Sequence, residues 1–176
     1  MRLREKLTMT VLVAVHLGMA LWHGSVHAAL TIPLSRGETT FVAVVVFVAP
    51  LIAVPLLWSR RERAGVWTFL LSMVGALVFG VHHHYVAISP DNVAHLPPGS
   101  AASHSAFGTS AAALAWIELL SAVFGAFCLG SLYPARAGPR CAADDRGDSR
   151  ASDRPAGESP AGGALATKQG SGTRTT

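Results

Sequence analysis

Four apolar stretches, each about 20 residues long, occupy most of the first 133 residues of this chain and leave it few ways to fold. They run roughly from Leu7 to Ala29, Thr40 to Trp58, Gly65 to Ile88 and Thr109 to Tyr133. At a helical rise of about 1.5 Å per residue, each is long enough to cross the hydrocarbon core of a bilayer. A segment that crosses lipid must satisfy its own backbone, so the expected element is the α-helix. The second stretch, "TFVAVVVFVAPLIAVPLLW", is rich in β-branched residues, yet its unbroken length argues for a helix kinked at Pro50 and Pro55. Composition agrees: 51% of the 176 residues are apolar and only 14% are charged, which is too apolar for a soluble domain of this size.

The charges give an orientation. The formal net charge of +4 comes from residues gathered in short segments, "MRLREK", "SRRERAG" and "PARAGPR", whereas the connection from Ser89 to Gly108 holds no Lys or Arg. The positive-inside rule then places both termini in the cytoplasm, with Trp58 and Trp67 as interfacial anchors beside the second basic segment. No basic face is spread out in the way nucleic acid requires, so nucleic-acid binding is excluded. The expected fold is all-α: an integral membrane four-helix bundle over 1–133, N-in and C-in, at the cell membrane. A polar, Gly/Ala/Ser-rich cytoplasmic tail over 134–176 is expected to be disordered. The lipid bilayer is its expected partner, along with other membrane subunits. Cys128, in an apolar run, and Cys141, in the tail, form neither a disulfide framework nor a zinc ribbon. The start of the chain also has the form of a secretory signal peptide, with Val26 and Ala28 at small positions before a cut. An uncleaved helix is the preferred reading, because the apolar stretch is long and carries a histidine.

All eight histidines lie in the apolar segments or in the third connection. On the first helix His16, His23 and His27 project within about 40° of one another at about 100° per residue, forming one stripe. His23 and His27 are an i, i+4 pair, the spacing that lets two imidazoles share a metal ion. On the third helix "HHHY" puts His83 on a small-residue face with Ser72, Gly75 and Ala76, while His82 and His84 point about 100° to either side. His83 is therefore the favoured inward residue, with His82 or His84 as its companion. Glu118, an acid well inside the fourth span, is expected to face the bundle interior at the depth of His16 and to bond to it. The third connection opens with the turn "SPDN"; if it folds back over the bundle, Asp91 becomes an acceptor for an imidazole N–H and His95 an added ligand.

The function these residues point to is a metal or haem centre in the outer half of the bundle. Its candidate ligands are His23, His27, His83, His82, His84 and His95, with His16, Glu118 and Asp91 as supporting or relay groups. Imidazole ligation suits copper, zinc or haem iron, in an electron-transfer or metal-handling subunit that is not an enzyme on its own. Two other readings stay open: a non-catalytic scaffold whose polar residues only join helices, and a His/Glu proton relay or small transporter.

Overall fold

The structure is a computed structural model that describes residues 1–133. The tail expected over 134–176, with Cys141, lies outside the described residues. The described residues are all helical apart from turns and connections. Four helices, α1 (Leu3–Ala29), α2 (Arg36–Leu57), α3 (Glu62–Val86) and α4 (Ala101–Leu132), are long and apolar enough to cross a membrane.

The helices begin where the chain supplies caps rather than where the apolar stretches begin. In "SRGE", Ser35 Oγ accepts from Glu38 N at 3.2 Å and Glu38 Oε2 accepts from Ser35 N at 2.6 Å, a reciprocal capping box that starts α2 ahead of Thr40. Ser100 Oγ accepts from Ser103 N at 3.0 Å and starts α4 two turns before Thr109. Helix α1 ends in a Schellman motif: Ile32 N donates to His27 O at 3.1 Å and Thr31 N to Ala28 O at 3.2 Å, with Thr31 at φ 50°. Ile32 and Leu30 are buried there with Val26 and Phe107, which fixes the last turn of α1 against α4.

Two helices contain a widened π segment. In α2 it covers Val42–Val48, with Ala49 N donating to Val44 O, five residues back. It lies just before Pro50, which has no N–H for its usual acceptor, Val46 O. In α3 it covers His82–Val86, with Ala87 N donating to His82 O at 2.7 Å.

Helix α4 packs against both α1 and α3, and α2 packs chiefly against α3. Small residues set the close approaches. A Cβ on Gly65 would lie 2.6 Å from Leu57 N, so the end of α2 and the start of α3 fit only with glycine there. Near the amino terminus of α1, Met9, Val13, Leu57, Phe69 and Met73 form a dry apolar core. At the opposite end, the connection after α3 folds back over the bundle, and Asp91 and Asn92 are buried. Asn92 Nδ2 donates to Ala87 O at 2.8 Å and Val93 N to His84 O at 3.0 Å, so this turn clasps the last carbonyls of α3.

Candidate metal centre

Three imidazoles converge at the end of the bundle covered by Asp91. His23 Nε2 lies 3.1 Å from His84 Nε2 and 3.1 Å from His27 Nε2, and one ligand nitrogen from each of the three residues falls within 4.8 Å of the others. Helix α1 supplies His23 and His27 one turn apart, and α3 supplies His84. Phe107 of α4 packs against all three rings, with centroids 5.0, 5.2 and 5.3 Å away. His23 and His84 are buried.

The outer nitrogens of two of the rings are held. His23 Nδ1 lies 2.8 Å from Ser110 Oγ, whose own hydrogen goes to Phe107 O at 3.1 Å. Ser110 then accepts from His23, which puts the proton on Nδ1 and leaves Nε2 bare. His84 Nδ1 donates to Asp91 O at 3.0 Å, which leaves its Nε2 bare as well. Two lone pairs thus face each other at 3.1 Å, an arrangement that asks for a cation between them. If Ser110 turned its hydroxyl to His23 instead, the single hydrogen on His23 Nε2 would serve only one of its two imidazole neighbours.

Asp91 completes the cluster. Its Oδ1 lies 3.1 Å from His27 Nε2 and 3.2 Å from His84 Nδ1, near enough for charge attraction, although neither direction makes a hydrogen bond. Burial pushes the Asp91 carboxyl up, but the His27 and His84 imidazoles against it more than offset this and hold it well below the usual carboxylate range. The site offers three imidazole nitrogens and one carboxylate, a composition suited to a divalent cation.

The other candidates lie elsewhere. His83 is half-buried on the α2 side, its Nδ1 3.4 Å from Glu38 Oε1 and its ring 4.3 Å from that of Phe79. His84 takes the inward position that regular helical geometry assigns to His83. A π turn holds more residues than the 3.6 of an α-helix, so each residue advances by less than 100° and the inward position falls one residue later. His82 and His95 are exposed, and His104 is bound to Pro97 O at 2.9 Å.

His16 and Glu118 meet deeper in the bundle, both almost fully buried, with His16 Nδ1 3.6 Å from Glu118 Oε1. His16 Nε2 donates to Val46 O at 3.1 Å, the carbonyl that Pro50 cannot serve. With its proton on Nε2, His16 turns Nδ1 toward the carboxyl group across a 3.6 Å gap that no hydrogen bond closes.

Two contributors escape the sequence reading, Ser110 and Phe107. At eleven residues before Glu118, Phe107 shares its stripe, but a helix begun at Thr109 stops short of it. A serine beside an alanine packing face carries no mark of a ligand support. The chain matches no family model, no curated protein and no solved structure.

Proposed function

We propose that this chain is a multi-pass membrane protein, N-in and C-in, that holds one metal ion, copper or zinc, on His23, His27 and His84 at the outer side of the membrane. The observation that carries the reading is the pair of Nε2 atoms of His23 and His84 facing each other at 3.1 Å, with the third imidazole beside them. Two nitrogens so spaced, each bonded to a metal at about 2.0–2.1 Å, subtend roughly 100° at the ion, close to tetrahedral. Contacts from Ser110 and Asp91 to the outer nitrogens are the kind that orient metal-bound imidazoles. Haem fits less well. Two imidazole nitrogens holding a haem iron between them would stand about 4 Å apart at such bond lengths, whereas His23 Nε2 lies 3.1 Å from both His27 Nε2 and His84 Nε2.

Membrane placement is supported by the outward faces of the helices. Leu7, Val11, Val15, Leu71, Val78, Leu120, Val123 and Phe127 are all exposed, apolar surface on three of the four helices that lipid covers at no cost. The proton-relay reading draws on the His16–Glu118 pair, but the dry core of Met9, Val13, Leu57, Phe69 and Met73 stands between that pair and the other end of the bundle. A path across the membrane is correspondingly disfavoured. Metal handling needs no such path.

The test is metal content of the detergent-purified chain after dialysis against copper or zinc. One ion per chain is expected, lost in His84→Ala and retained in His83→Ala. Wild-type protein without stoichiometric metal would leave the imidazoles a purely structural joint between helices.

A further inference from the structure

A cavity of about 270 Å³ adjoins the histidine cluster and runs inward along it to Glu118. Its walls are apolar, formed by Ala20, Val46, Phe47, Ala76, Phe79 and Leu114. Only its two ends are polar: His23, His27, His84 and Asp91 at one, Glu118 at the other. Gly80 stands between them, since a Cβ there would lie 3.9 Å from His84 Cδ2 and 4.0 Å from Glu118 Oε2. A side chain larger than a methyl group at this position would occupy the space between them.

Glu118 is 2% exposed, and none of the described residues gives its carboxyl group a hydrogen bond. Oε1 faces His16 Nδ1 at 3.6 Å, and Oε2 lies on the Gly80 side, where it can accept a hydrogen bond. Glu118 lines the cavity, so a carboxyl oxygen with no donor from the described residues is an anchor for a donor that enters.

Leu21 and Leu34, both exposed, line the cavity, and we take its mouth to lie beside them, between α1 and the start of α2. In the membrane placement proposed above, that mouth opens to lipid, and whatever enters must be neutral and apolar over most of its surface. We propose that the cavity binds a small lipid-phase alcohol or phenol whose hydroxyl group donates to Glu118 Oε2. An apolar cavity of about 150 Å³ accommodates benzene, so this larger one has room for about two fused rings. The pocket rests on the membrane reading for its route of entry, but not on the metal.

The test uses 2-naphthol and its near-isostere 2-methylnaphthalene. Each is titrated calorimetrically into the full chain in detergent, stripped of metal with a chelator, with empty micelles as the reference. One 2-naphthol per chain is expected, bound about tenfold or more tightly than the methyl analogue, the preference a single hydrogen bond to a buried carboxyl group gives. Ala115→Phe, on the cavity wall, should abolish binding, and the milder Ala115→Leu should weaken it if the larger side chain prevents folding. Glu118→Leu should make the two probes bind alike. Equal affinities in the wild type, or unchanged 2-naphthol binding in both Ala115 variants, would overturn the proposal. Because the protein is stripped of metal, a failure here is separate from a failure to bind copper or zinc.

Discussion

Ser110 shows how much of the site depends on a residue with no chemistry of its own. By accepting the Nδ1 proton of His23 at 2.8 Å, it frees Nε2 for a cation and sets the ring plane. Ser110→Ala leaves all three imidazoles in place, and metal affinity is expected to fall about 10- to 100-fold, read from competition with a chelator of known affinity. An unchanged affinity would mean that ring packing against Phe107 alone orients His23. At this scale the sequence is only partly legible. The i, i+4 spacing of His23 and His27 marks them as a pair without any structure, and "SPDN" marks the turn that brings Asp91 over them. The choice between His83 and His84 depends on a difference of one residue in helical phase, and the sequence gives no sign that the turn there is widened.

Among the elements, the apolar stretches locate the helices because lipid-length runs of apolar residues leave one backbone solution. The ends are less legible, since they depend on caps at Ser35 and Ser100 that lie outside the apolar runs. Pro50 is legible as a break but not in its consequence: the Val46 carbonyl that it cannot bond becomes the anchor of His16. The junction of α2 and α3 is tight. Gly65→Ala would drive a methyl group to 2.6 Å from the Leu57 backbone nitrogen, and an overpacking cost of about 1–3 kcal/mol is expected. Thermal unfolding in detergent reads that loss, and an unchanged melting temperature would show that the two helices separate readily there.

For the molecule as a whole, orientation and the fate of α1 decide whether the site exists in the cell. Cleavage after Ala28 would remove His23 and His27 together and leave His84 alone, so the metal reading requires α1 to stay attached. The intact mass of the purified chain is expected to include it. For orientation, a cysteine at exposed Ala94 in a Cys141→Ser background should react with an impermeant thiol reagent added outside intact cells, and one at exposed Ser59 should not. The reverse pattern would put the histidine cluster on the cytoplasmic side. The ordering of basic segments carries this orientation, and no feature inside the bundle repeats it.

The central claim is that three imidazoles from two helices share one ion. X-ray absorption of the zinc- or copper-loaded protein tests it most directly, because the scattering counts and ranges the atoms bound to the metal. The expected spectrum shows three imidazole nitrogens at about 2.0–2.1 Å and the loss of one of them in His84→Ala. A shell of oxygen with a single imidazole, unchanged by His84→Ala, would contradict it.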